Sequence, residues 1–186
     1  MAMNKLISVM GTALLAVMVI GCSGKTRVES DLGIKGAPDW VNEGTVVLKD
    51  KDGRLFHGVG SAPSMGDESL QISTADGRAR AELARILSSY MKVVSTDYLA
   101  SAGKDEAQRV EQSVSQQIEN LTQVNLSGAK VIGRWHDKKR NMIYSIVELD
   151  MKHVKDTVGQ VETMNEGLKN FINTRGDNIF DGMIKR

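Results

Sequence analysis

An α+β fold, a mixed or antiparallel sheet with helices on one face in the order ββαβαββα, follows from three features of this 186-residue sequence. Two pairs of β-rich runs are each joined by a short polar turn. Two long segments between them repeat apolar residues at three and four. The chain from His153 onward returns to that helical spacing. β-rich runs around a turn mark hairpins, three-four spacing marks amphipathic helices, and the two together build a layered domain.

The first element is a leader. Lys5 is its only charge, and the fifteen residues from Leu6 to Ile20 carry none before Gly21 and the single cysteine, Cys22. A charged start, an apolar run and small residues at the cut form the pattern of a secretory signal peptide. A membrane-spanning helix wants about 20 apolar residues, more than this run supplies. Residues 1–21 are therefore read as a signal peptide, and Val19-Ile20-Gly21-Cys22 resembles a bacterial lipobox, whose cysteine is acylated and becomes the mature N-terminus. A lone cysteine in an exported chain has no disulfide partner, and lipidation accounts for it. Each buried acyl methylene contributes about 0.8 kcal/mol, and two or more chains hold a protein on a bilayer stably where one does not. Ser23 follows the cysteine where Asp would retain the protein at the inner membrane. By resemblance to the sorting rules of two-membrane bacteria, that points to the outer membrane.

Residues 22–37 read as the lipidated cysteine and a flexible tether, with Ser23, Gly24, Ser30, Gly33 and Gly36 among mixed charges. An α+β domain over 38–152 opens at Pro38-Asp39-Trp40-Val41, where the proline holds Ala37 extended and the indole offers an apolar anchor. Thr45–Lys49 and Arg54–Gly60 form a hairpin around Asp50-Lys51-Asp52-Gly53. A helix capped by Asp67 or Ser69 then carries Ile72, Ala75, Ala79, Leu83, Leu87 and Tyr90 on one stripe, with small residues first so that it lies close on a sheet. Arg78, Arg80, Glu82 and Arg85 flank it, Arg78 and Glu82 at pairing distance. Met91–Tyr98, rich in β-branched residues, reads as a third strand. A second helix from Asp105 to Val124 turns Ala107, Val110, Val114, Ile118 and Leu121 inward. Asn125–Trp135 and Met142–Asp150 make a second hairpin with its tip at Asp137–Asn141, and 153–186 is a C-terminal helical extension.

Taken in order after the lipobox, Pro38-Asp39-Trp40-Val41, Gly58-Val59-Gly60-Ser61-Ala62 ahead of Ala79-Arg80-Ala81-Glu82-Leu83-Ala84, Ser127-Gly128-Ala129-Lys130-Val131, Trp135 and Tyr144 give this chain a resemblance to the twenty-kilodalton outer-membrane lipoprotein family (LPP-twenty family). The likeness runs from Ala37 to Asp150 and leaves the extension outside it. It implies an outer-membrane lipoprotein with a structural or interaction role in an envelope assembly such as the flagellar basal body, working through protein partners or a homo-oligomer. The alternative it leaves open is a small ligand-binding or surface-antigen lipoprotein.

The chemistry-bearing residues point the same way. The chain holds 24 basic and 23 acidic residues, and with Lys5 in the leader the remainder is balanced. No global field draws it to nucleic acid, and aromatics at 4% provide no stacking platform. Gly58-Val59-Gly60 sits between strand and helix like a dinucleotide loop, but Pro63 occupies the third glycine position, so close packing is the simpler account. His57 and His136 flank strands whose pairing would bring them together, yet no Cys, Asp or Glu spacing joins them or His153 into a metal set. Ser61 and Ser64 lack a nucleophile elbow, and no carboxylate pair is set apart for acid–base work. The expectation is no enzyme, no cofactor and no metal.

Two surfaces remain as interaction candidates. Lys138-Lys139-Arg140, with Arg134 nearby, makes a basic hairpin tip suited to lipopolysaccharide phosphates, peptidoglycan carboxylates or a protein, unless it is simply a solvated turn. In the extension, Val154, Val158, Val161, Leu168 and Ile172 form a narrow seam interrupted by Asn165, an amide that in paired helices fixes register. Gly176, inside an Arg175-Gly176-Asp177 tripeptide that chance explains, reads as a helix end. Beyond it Ile179, Phe180, Met183 and Ile184 are expected to be exposed and to dock on a neighbouring subunit or partner.

Overall fold

A computed structural model describes residues 32–47, 53–161 and 164–184. Its elements are α1 (Asp39–Asn42), a 3-10 turn (Gly44–Val47), β1 (Leu55–Ala62), α2 (Glu68–Ala102), α3 (Lys104–Ser127), β2 (Lys130–Asp137), β3 (Met142–Asp150), α4 (Met151–Val158) and α5 (Glu166–Ile184). The class is α+β, built on an antiparallel sheet in the order β1-β3-β2. The Cys22 leader junction and the turn Asp50-Lys51-Asp52 lie outside the described residues.

Close contact between β1 and α2 organises the core. A methyl group at Gly58 would collide with the carbonyl of Ala79, and one at Gly60 with its backbone nitrogen, so the helix backbone rests almost directly on the strand. Ala62, Ala75 and Ile143 continue that contact as a small buried cluster. Asp67 caps α2 by accepting the Leu70 N–H at 3.0 Å. Past Gly58 the side chains grow: Leu83, Leu87, Tyr90, Met91 and Val94 meet Val114 and Leu121 of α3 and Leu168 and Ile172 of α5 in the main core. Phe56 stacks edge-on with Tyr90 at 5.3 Å and with Phe180 at 4.8 Å.

Four features depart from the sequence reading. Met91–Tyr98 is not a strand but the continuation of α2, because Met91, Val94 and Tyr98 prolong the apolar stripe onto α3 and α5, and burial outweighs the β preference of the intervening residues. Thr45–Val47 forms a 3-10 turn after Gly44, whose φ of +70° ends the extended path, so β1 pairs only with β3 among the described strands. Helices do not keep to one face: α2 covers one side of the sheet, while Ile34, Val41 and Trp40 cover Tyr144 on the other. Ile34 lies in the stretch read as tether, and its N–H and C=O bond the Asn42 amide at 2.9 and 3.1 Å.

The C-terminal extension is the fourth. Gly159 ends α4, and Asn165 caps α5 by accepting the Leu168 N–H at 3.2 Å; it is not a seam amide. Its side chain also accepts from the Tyr98 hydroxyl at 3.1 Å, and its N–H donates to Gln117 at 2.8 Å, which ties α2, α3 and α5 together. Gly176 lies inside α5, buried against the Tyr90 hydroxyl, and ends nothing.

Candidate functional site

The β2–β3 hairpin presents its tip through local chemistry. Asp137 accepts the N–H groups of Lys139 and Arg140 at 3.0 and 3.2 Å and the Arg140 guanidinium at 3.0 Å, closing the turn. Burial alone would raise the Asp137 carboxyl, but Arg140 and these two N–H groups outweigh it and hold the group below the usual carboxylate range. Asn141 completes the turn at φ +49°, bonding His136 at 3.1 Å. Lys138, Lys139 and Arg140 are exposed, as expected. Arg134 is not part of that basic group. It reaches across to Asp76 of α2 in a two-pronged pair at 2.8 and 2.6 Å.

Behind the tip, Trp135 and Tyr144 face each other across the hairpin with ring centroids 5.6 Å apart, on the side covered by Ile34 and Val41. Gln71 of α2 is buried, and its amide donates to Ala62 O at 3.1 Å and Asn141 O at 2.9 Å. These bonds fasten the start of α2 to the hairpin end of the sheet. Sequence reasoning missed Gln71 and Asp76. The available signal was a polar residue on the buried stripe of α2 and an aspartate one turn after it.

The second expected surface is not one. Phe180 is 4% exposed, and Ile179 and Met183 pack against the main core; only Ile184, at 62%, faces solvent. Arg54 fastens this end of α5 through Asp181 at 2.6 and 2.9 Å and Asp177 at 3.3 Å, and Lys155 adds a bond to Asp177 at 2.6 Å. The apolar end of the chain is thus core. The expected exposure fails outright for Phe180, which is buried, and holds only in part for Ile179 and Met183, which are half-buried against the same core.

The remaining candidates stay apart. His57 is buried and bonds its half-buried cross-strand neighbour Glu148 at 3.0 Å; His136 lies at the far end of the hairpin; His153 packs on Gly128. Among the described residues no group of three His, Cys, Asp or Glu is placed to hold a metal ion. Glu82 pairs with Arg85 at 2.6 Å, not with Arg78, whose guanidinium instead caps Ser61 O at 2.7 Å. An open groove of about 470 Å³ runs between α2 and α3 over Met91, Ile118 and Leu126, edged by Lys92 and Glu119. No described helix is long and apolar enough to cross a membrane. No protein-family model matches this chain, and no curated protein matches it.

Proposed function

We propose that this chain is an outer-membrane-anchored bacterial lipoprotein, tethered through acyl chains on Cys22, with a structural or interaction role in an envelope assembly of the flagellar basal-body kind. The observation that carries the reading is the leader: fifteen uncharged residues running into Val19-Ile20-Gly21-Cys22-Ser23 with no other cysteine in the chain. The described architecture supports it. The concave features are open rather than enclosed, and in one of them Lys152 and Asp156 pair at 2.9 Å, which suits a protein that works through its surface.

The groove over Met91, Ile118 and Leu126 favours a second reading, a small ligand-binding lipoprotein without catalysis. Sedimentation of the detergent-solubilised full chain separates the two. An assembly subunit sediments as a large particle, whereas a ligand binder sediments as a monomer. Cys22→Ala tests the anchor itself: the variant should accumulate as precursor or soluble species, and recovery of mature-sized protein from the outer membrane would sink the lipoprotein reading.

A further inference from the structure

The described chain begins beside the hairpin tip. Ile34 is buried with Val41 and Tyr144, and Trp135 and Met142, the latter paired with Asp137, pack on the same cluster. Leu32 is two residues away, within about 7 Å along the chain. α2 starts at the same end through the Gln71 bonds to Ala62 and Asn141, and Asn141 draws in the loop before α2 by donating to Ser64 Oγ at 2.8 Å. One pole of the molecule therefore gathers exposed Leu32, Met65 and Leu70, at 49%, 43% and 49%, around the projecting Lys138 and Lys139. Neither lysine has an ion-pair partner among the described residues, while Arg140 is held by Asp137. Asp39, Glu43, Asp67 and Glu68 are exposed on this pole as well, with Lys35, so its positive field is confined to the tip.

From that pole α2 runs 35 residues, roughly 50 Å. The strands beside it span under about 30 Å. Gly103, where α2 gives way to α3, is therefore the opposite pole.

We propose that the hairpin pole rests on the bilayer holding Cys22, with Lys138 and Lys139 against anionic lipid headgroups and Leu32, Met65 and Leu70 at the interface. The domain then stands end-on, with the α2–α3 junction pointing away from the membrane. This orientation rests on Cys22 being the anchor. The stretch from Cys22 to Leu32 can reach about 35 Å at most, so the pole where it joins the domain is the one held near the bilayer. Paired lysines beside scattered apolar side chains suit an anionic interface, and their attraction acts within about one Debye length, roughly 8 Å in physiological salt.

Both tryptophans of the chain, Trp40 and Trp135, sit at this pole and report on it without a label. The chain from Cys22 to Arg186 is coupled by its only thiol to a maleimide lipid, so attachment does not depend on processing in cells. Vesicles carry a headgroup nitroxide, with or without phosphatidylglycerol. Tryptophan emission should be quenched on the anionic vesicles, and the quenching should fall more than twofold without phosphatidylglycerol, in high salt, or in Lys138→Glu/Lys139→Glu. Lys92→Glu, along α2, should retain it. Circular dichroism checks that each variant is folded. Absent quenching, or equal quenching in the charge-reversed or neutral-vesicle samples, overturns the end-on orientation. The anchor itself is judged separately, by fractionation of the Cys22→Ala variant from cells.

Discussion

Gly58 and Gly60 set the distance between β1 and α2, and their hydrogens are all that fits there. At Gly60 an added methyl would lie 2.6 Å from the Arg78 carbonyl carbon and 2.8 Å from Ala75 O, both helix backbone that cannot swing aside. Gly60→Ala should therefore destabilise the domain by at least about 1–3 kcal/mol in a denaturant titration, as overpacking does. A wild-type midpoint would mean that the helix lies farther out. Tyr90 offers the opposite case. Its hydroxyl is buried with no hydrogen-bond partner among the described residues, and burial, aided by Asp177, pushes the phenol far above its ordinary value. Removing such a group without leaving a partner stranded is close to neutral, so Tyr90→Phe should keep or raise the melting temperature.

Asp76 carries a pH dependence. Its bonds to Arg134, and next the Ser145 hydroxyl at 2.7 Å, hold the carboxyl below its ordinary 3.8 against the opposing effect of burial. A carboxyl depressed in the folded state stabilises it above the unfolded value, and that contribution fades as pH falls through 3.8 toward the folded value. Asp76→Asn should lower stability near neutral pH and flatten the acid limb of the stability–pH curve. An unchanged acid limb would show that the Arg134 pair does not persist in solution.

Among the elements, α5 is the decisive one. Phe180 seals Phe56 from solvent, while Trp135 is only half-buried and the Lys138–Arg140 turn is exposed. Phe180→Ala should cost roughly 3–5 kcal/mol, Trp135→Ala less, and neutralising the tip within about 0.5 kcal/mol of nothing. The reverse order in unfolding midpoints would put the tail back on the surface. From sequence, Phe180 reads as exposed with its neighbours because the ring it packs on, Phe56, is more than a hundred positions away. Local period cannot reveal such contacts. The same limit hid the length of α2: Met91–Tyr98 is β-branched in composition, yet Met91, Val94 and Tyr98 keep the helical stripe. One signal was present and unused. Ile143 to Val147 lacks the alternation of a one-sided strand, and β3 is in fact buried on both faces. By contrast, the second hairpin, the second helix, the Asp67 cap and the glycine contact under α2 were legible, because each depends on residues close in sequence or on a contact only glycine allows, although Asn125–Ser127, read as the start of the hairpin, form the last turn of α3 and the strand begins at Lys130.

For the whole molecule, the sequence speaks most plainly where no fold is involved. The proposed leader and Cys22 would be a linear address, readable without packing, while the surfaces that would meet a partner carry no local code and emerge only from how distant elements meet. The hairpin pole is an example: Leu32, Met65, Leu70 and the tip lysines share nothing in sequence and one end of the sheet in space. The measurement that bears most directly on the proposed role is the mass of the N-terminal peptide of the mature protein extracted from membranes. It should begin at Cys22, bearing a diacylglyceryl thioether and an acylated amine. A mature chain that begins elsewhere, or one that begins at Cys22 with a free thiol, would contradict a lipid-anchored protein.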